Sequence, residues 1–511
     1  MDGSQPGDIP LRVQRTRVSG ASQTSIQSLD EDIAEALDAP LERRLGLWSG
    51  MAIVMGSIIG SGIFSTPSLI LGSVGSVGMS ILVWVIGAVV SICGCAAYME
   101  LGTMLPRSGG EKAYLEAAFP WPRELMSFVF CLASIFVCWP TGLAADAVVT
   151  GSYLLYAATG MSEGHPAWAE RLIGVGVAML CALAHACFAR WAIRVQNVLT
   201  VVKALLLVLV VLVGLSRLGR AELGHDVFGG TSRSANGYAT ALFKVFFAYS
   251  GYTALNYAVD ELKDPARTLP RAAMGGLAAT AALYVLSNVA YFIVLDADDV
   301  RSAGTTVAGV FFTRVLGAVW GQRVVPVLIA SATLGNVMCG SFAASRVIFA
   351  AARDGYLPLG GLWGAVSLRF GTPVWALVAG AVLTSLYIVV PPPGQAYALL
   401  IDVGGYPFWV FSGLAIAGLL RMRWTHRELL RPFRAWMLAN GLSLAAAVFM
   451  CIVPFVHPGD DPADSPHKGV PYWTAPVVGV AFIAVSCCLW YVRVLLIDRI
   501  EYRKQINEDQ I

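Results

Sequence analysis

The residues of this chain that could do chemistry lie inside runs that are otherwise apolar. Gly56-Ser-Ile-Ile-Gly60-Ser61-Gly62-Ile-Phe64 interrupts the stretch from Leu45 to Leu71. Glycine and serine are weak helix formers, so the run predicts a local unwinding that frees backbone N–H groups. The N–H groups around Gly60, Ser61 and Gly62, the Ser61 hydroxyl and the positive end of the following helix would together stabilise a carboxylate. A second interruption, Phe246-Phe247-Ala248-Tyr249-Ser250-Gly251-Tyr252-Thr253, lies midway through a later apolar run. Carbonyls freed at Ile58, Ile59, Phe247, Ala248 and Ser250 would accept an ammonium group. A zwitterion would then find a complement for each of its charges without any formal charge from the protein, which avoids the cost of burying ions.

Two charged residues sit deep in such runs. Lys203 lies about eight residues into its run, some ~12 Å at 1.5 Å per residue, too deep to be ignored. Its ammonium is either held by a partner at that depth or snorkels to the interface. Asp146 lies about ten residues from the outer end of its own run, near mid-membrane. A carboxylate there can exchange a proton, contact a substrate ammonium, or pair with a hydroxyl such as Thr141. Glu100, the segment Arg107 to Glu111, Arg346 and Arg353-Asp354 read as inner-gate ion pairs or loop anchors. Asp260 and Glu261 fall at the inner end of a run, and Asp402 receives no assignment.

The elements that position these residues are membrane helices. With 57% hydrophobic and 13% charged residues over 511 positions and a mean hydropathy of +0.66, the chain is far from the soluble balance of about a quarter charged. Apolar runs long enough to cross ~30 Å of hydrocarbon predict twelve spans, near 46–72, 77–105, 124–156, 168–189, 195–217, 237–262, 271–295, 323–351, 373–391, 396–421, 435–456 and 474–497. With the N-terminus inside, the inner segments are basic: Arg43, Arg44; Arg107, Lys112, Arg123; Arg190, Arg194; Lys263, Arg267, Arg271; Arg353, Arg369; Arg421 to Arg434; Arg493 to Lys504. The outer segments hold Glu163, Glu170, Glu222, Asp226, Asp296, Asp298, Asp299, Asp460, Asp461 and Asp464. Both termini are therefore expected in the cytoplasm.

Residues 1–44 are polar, so a mostly disordered tail is expected, with a possible short acidic helix over Ile26 to Leu37 and no cleavable signal peptide. A ten-helix core follows over 45–421, then two peripheral helices over 422–497 and a second tail over 498–511. Lys504, the only lysine in either tail, is the expected ubiquitin acceptor if lysine-linked ubiquitin controls turnover. The ten cysteines fall almost wholly within apolar runs and read as small hydrophobes. A net charge of +2 without a massed basic face excludes nucleic acid. No Gly-x-x-x-x-Gly-Lys-Ser/Thr pattern or metal-ligand spacing is present, so neither enzyme nor cofactor nor metal is expected.

Five segments carry a resemblance: GSIIGSGIFSTP from Gly56, YMELGTMLPRSGGEKAY from Tyr98, Val195-Gln196-Asn197 with Lys203, FAYSGYTALNYAVDELKDPARTLP from Phe247, and SRVIFAAARDGYLP from Ser345. In this order they resemble the L-type amino acid transporters of the amino acid-polyamine-organocation superfamily. The Asn256-Tyr257 pair followed by LKDPARTLP is similar to fungal methionine permeases. The resemblance implies an all-α polytopic fold of the leucine-transporter type. Spans 1–5 and 6–10 would be inverted repeats with broken spans 1 and 6, and spans 11 and 12 would be peripheral. It places Phe247, Tyr252, Gly142, Asp146, Phe408 and Trp409 around the substrate side chain, with Phe247 as gating aromatic, and puts Lys203 where sodium-driven relatives hold a sodium ion. The animal members carry Trp at the position of Tyr252, and Asn at those of Thr253 and Phe408, so their side-chain preferences are not carried over.

These readings converge on a multi-pass plasma-membrane transporter that moves neutral L-amino acids by alternating access. Methionine or other large apolar substrates are preferred, since sulfur–aromatic contacts suit the pocket. Proton symport without sodium is the expected energetics, with sodium-independent exchange as the alternative. A nutrient-sensing receptor would need longer tails, and a channel would suit a continuous pore rather than two breaks. The outer loop from Tyr156 to Ala169 has no cysteine, so no disulfide-linked heavy chain is expected.

Overall fold

Twelve of the sixteen α-helices below coincide with the expected apolar runs, whereas Glu111–Ala118, Ala297–Ser302, Val307–Val319 and Gly360–Trp363 fall between them. A computed structural model describes residues 45–106, 109–161, 166–220, 227–367, 369–392, 396–456 and 471–508. The expectations for the tail 1–44 and for Arg107, Glu163, Glu222, Asp226, Asp460, Asp461 and Asp464 lie outside the described residues, as do the side chains of Asp260, Arg499, Arg503 and Lys504.

In chain order the helices are α1 Leu47–Ile58, α2 Gly62–Val74, α3 Val77–Met104, α4 Glu111–Ala118, α5 Leu125–Thr159, α6 Ala167–Leu215, α7 Ala235–Tyr249 and α8 Pro265–Val294. They continue as α9 Ala297–Ser302, α10 Val307–Val319, α11 Val325–Arg353, α12 Gly360–Trp363, α13 Val374–Val389, α14 Ala396–Thr425, α15 Met437–Ile452 and α16 Thr474–Glu508. Among the described residues there is no β-ladder beyond one isolated bridge, in which Leu45 pairs with Leu262. That bridge ties the start of the first broken run to the end of the second through Leu45 N–H to Glu261 O at 2.9 Å.

Among the described residues, eight helices are long and apolar enough to cross a membrane, or nine if the bent pair α1 and α2 counts as one span. The run expected over 46–72 is that pair, bent by 45°. The runs expected at 168–189 and 195–217 are one 49-residue helix with a single non-helical residue, Phe188, at φ −133°, ψ 42°. The run expected at 237–262 stops being α-helical at Tyr249 and goes on in 3-10 turns at Ala254–Tyr257 and Val259–Glu261. The last helix reaches Glu508, through most of the stretch expected as a tail. Two π-turns, Ser134–Cys138 and Trp320–Val324, each end just before a proline, Pro140 or Pro326, whose missing N–H cannot continue the α-ladder.

Packing sorts the central helices into two sets. α8 packs on α1 and α3, and α7 packs on α2 and α3. The other set is α5, α6, α11 and α13, which pack on one another. Within the first set Trp84 meets both Tyr249 and Tyr284 edge-on, at 5.7 Å from each. Such aromatic pairs contribute about 0.5–1.5 kcal/mol each beyond burial, enough to hold α3, α7 and α8 together at this point.

Candidate functional site

Helix α1 runs through Gly56 and Ser57 and ends at Ile58, just before Gly60, Ser61 and Gly62. Ile59 makes the last helical bond, its N–H to Met55 O at 2.9 Å, and turns extended at ψ 96°. Ser61 caps α2, and Phe64 N–H reaches Ser61 O at 3.1 Å in a tight first turn. The orphan N–H groups of this turn face the point where the helix is interrupted. Tyrosines from neighbouring helices take carbonyls on either side: Tyr284 donates to Ile58 O at 3.0 Å and Tyr153 to Phe64 O at 2.7 Å.

The two deep charges meet at this break through one amide. Lys203 donates to the Gly56 carbonyl and to Asn336 Oδ1, the latter at 3.4 Å. Asn336 Nδ2 donates to Asp146 Oδ2 at 2.8 Å, and Asp146 Oδ1 accepts the Ser61 N–H at 3.2 Å. Asp146 is 4% exposed and Lys203 1%, so bulk water does not screen either charge. The Ser61 hydroxyl shares a hydrogen bond with Tyr397 OH at 3.3 Å. Thr141 does not partner the Asp146 carboxylate, because its hydroxyl bonds the Val137 carbonyl at 2.7 Å.

The second break touches the first at two points. Ser250 is extended at ψ 154°, and its hydroxyl turns back to Phe247 O at 2.7 Å. Gly251 has φ +103°, and a Cβ there would lie 2.7 Å from the Ser57 carbonyl oxygen, so both its backbone shape and the space require glycine. At the other contact a Cβ on Gly62 would lie 2.6 Å from Ala248 Cα. Among the expected ammonium acceptors, the Ile58 and Phe247 carbonyls thus already carry internal hydrogen bonds.

The residues expected around a substrate side chain divide into two groups. Phe247 packs edge-on to Tyr397, with ring centroids 6.2 Å apart. Gly142 lies one turn from Asp146 on the same face of α5, and a Cβ there would meet no heavy atom within 4 Å. Tyr252, Phe408 and Trp409 instead line, with Phe246, Ser91 and Ser443, a small cleft between α3, α7, α14 and α15. Phe246 and Phe247 are neighbours in a helix, about 100° apart, so they cannot face the same space.

Sequence reasoning missed Asn336, Tyr397 and Lys244. Lys244 pairs with Asp402 at 2.6 Å, with side chains 2% and 10% exposed, and so joins α7 to α14. Lys244 interrupts an apolar run just as Lys203 does, and the same depth argument would have found it. The inner-end charges anchor loops. Buried Glu100 accepts from Arg423 Nε and the Ala435 N–H, each at 2.8 Å. Asp354 pairs with Lys112, and Tyr257 OH donates to Glu111. Arg346 and Arg353 lie over Phe342 and Phe349. Among the described residues no group of three or more His, Cys, Asp or Glu side chains is gathered for a metal ion.

Comparison with known proteins agrees with this architecture. A family model described as amino acid permease matches residues 45–483. The chain is 29% identical over 480 residues to the high-affinity methionine permease of Saccharomyces cerevisiae, covering 92% of this chain and 82% of that protein. It is 31% identical over 455 residues to the human b(0,+)-type amino acid transporter 1, covering 88% of each. With the Asc-type amino acid transporter 1 of Mus musculus it shares 32% identity over 421 residues, 81% of this chain and 77% of that one. These relatives are permeases and transporters, not enzymes. The chain belongs to the amino acid permease family, among the L-type amino acid transporters of its superfamily.

Proposed function

We propose that this protein is a secondary active transporter of neutral L-amino acids, methionine and other large apolar ones first, driven by protons and independent of sodium. Amino acid transport by a multi-pass membrane protein is what its family membership gives. The observation that carries the finer reading is the meeting of the two breaks around Ser61, with Lys203 hydrogen-bonded into the first of them. A fixed ammonium there does the electrostatic work of a bound cation, so no sodium is required. Asp146, buried beside it, is the proton-carrying group in this reading.

The fold reading is twelve crossings with two inverted five-helix repeats. If straight, the 49-residue α6 would be about 74 Å long, more than twice the hydrocarbon thickness, so it is read as two crossings hinged at Phe188. Adding α7 with its 3-10 turns, and the short apolar α13, to the nine spans supports twelve. The two packing sets support alternating access in which α1, α2 and α7 tilt against α5, the part of α6 before Phe188, α11 and α13. The plasma membrane, cytoplasmic termini and action without a disulfide-linked heavy chain belong to the same reading.

One observation favours a second reading, obligatory sodium-independent exchange. Asp146 and Lys203 balance each other through Asn336, so the network is neutral without an added proton. Purified protein in liposomes separates the two. Methionine uptake into empty vesicles driven by an inward proton gradient supports symport. Uptake only with internal amino acid establishes exchange and removes proton coupling from the reading.

A further inference from the structure

We infer that Asp146 is an internal occupant of the seat meant for the substrate carboxylate, so that Asp146 and a transported amino acid compete for the Ser61 N–H. The inference rests on the reading of the two breaks as the amino acid site. A carboxylate at the first turn of α2 is held by the N–H groups and positive end of that helix. That place is already taken, since Asp146 Oδ1 lies 3.2 Å from Ser61 N. The other oxygen is held by Asn336 at 2.8 Å, so the carboxylate is clamped from both sides. One turn away on the same face of α5, a Cβ at Gly142 would meet no heavy atom within 4 Å, so the wall beside the occupied seat is open there.

Two carboxylates cannot share one N–H in a buried site without strong repulsion, so substrate enters as Asp146 leaves or is neutralised. Proton uptake is the simplest neutralisation: the proton goes to a carboxylate oxygen of Asp146, and Ser61 N–H is released to the incoming carboxylate. Affinity for an amino acid therefore rises as pH falls. The other charged or titratable groups around the network are Lys203 on α6, Tyr284 on α8, Tyr397 on α14 and Cys339 on α11. Substituting Asp146 alone assigns the effect among them. Ligands lacking a carboxylate have no claim on this N–H. For an amine, Asp146 is instead the counter-charge.

The test is binding of methionine and of its decarboxylated amine, 3-(methylthio)propylamine, to the purified full chain and to Asp146→Asn and Asp146→Ala, at pH 5.5 and 7.5. Exchanging an ionised competitor for a neutral one is expected to tighten methionine about tenfold at pH 7.5 and to abolish its pH dependence. The amine is expected to weaken in the same variants. Weaker or unchanged methionine binding in the variants overturns the inference while wild-type binding leaves the transporter reading intact. Tightening of both ligands also overturns it, since that reports only a roomier site. If neither variant folds, the wild type decides: methionine affinity that does not rise on acidification refutes the competition. A wild type that binds no neutral amino acid overturns the underlying reading as well.

Discussion

Replacing Gly62 by alanine adds one methyl at the contact between the two broken runs. Gly62 opens α2 and faces Ala248 near the end of α7, where an added Cβ would lie 2.6 Å from both Cα and Cβ of Ala248. Carbon atoms pack at about 3.5–4.0 Å, so the half-helices must separate by roughly 1 Å. One of the obstructing atoms is backbone and cannot rotate away. Overpacking of this kind costs about 1–3 kcal/mol, which at 1.4 kcal/mol per tenfold depletes the arrangement in which Gly62 touches Ala248 about 5- to 140-fold. Initial-rate methionine uptake by Gly62→Ala in liposomes is therefore expected to fall at least about fivefold, with a lower melting temperature of the purified protein. Gly72→Ala is the control, because Gly72 lies on the same half-helix and a Cβ there would meet nothing within 4 Å. It is expected to transport like the wild type and to melt no lower, since alanine favours a helix over glycine by up to about 1 kcal/mol. Wild-type transport and melting in Gly62→Ala, or equal damage in Gly72→Ala, would refute the reasoning.

Lys203→Met removes the ammonium held by the Gly56 carbonyl and Asn336. Hydrogen bonds from a charged group contribute about 1.5–3 kcal/mol, so uptake is expected to drop more than about tenfold. Sodium stimulation of the wild type, measured against choline buffer, would contradict the role given to this lysine. Lys244→Met takes away the ion-pair partner of buried Asp402 and should destabilise the protein by about 3–5 kcal/mol, whereas Lys244→Met with Asp402→Leu should recover most of the loss. Melting curves of the single and double variants check this, and a single variant as stable as the wild type counts against it. Glu100→Gln weakens the clamp on Arg423 and the Ala435 N–H, loosening the segment from His426 to Trp436 by about tenfold or more in local opening. Limited proteolysis should nick that segment faster, and unchanged cleavage argues against an anchoring role for Glu100.

Both breaks and the helical runs around them were legible because their causes are local. Gly60, Ser61 and Gly62 weaken a helix wherever they stand, and Gly251 permits the positive φ of the second break. The depth of Lys203 and Asp146 in apolar runs was equally visible, since an intramembrane charge is costly in any fold. Asn336 was not legible, because an asparagine on a membrane helix shows no preference until its neighbours supply both a donor and an acceptor. Here Lys203 comes from α6 and Asp146 from α5, brought to α11 by packing alone.

By itself the sequence determined an all-helical membrane chain of the amino acid permease family, interrupted at two places and charged at depth. Hydrophobic length, weak helix formers and motif order need no third dimension to be read. Only the tertiary structure decided which groups those interruptions face: that Ser61 N–H carries the protein's own carboxylate, that Gly62 and Ala248 touch, and that Phe408 and Trp409 border a cleft with Phe246 while Phe247 turns toward Tyr397. The helical period sets which residues share a face, but the partner of that face depends on the rotation and crossing of whole helices, which no local stretch of sequence encodes.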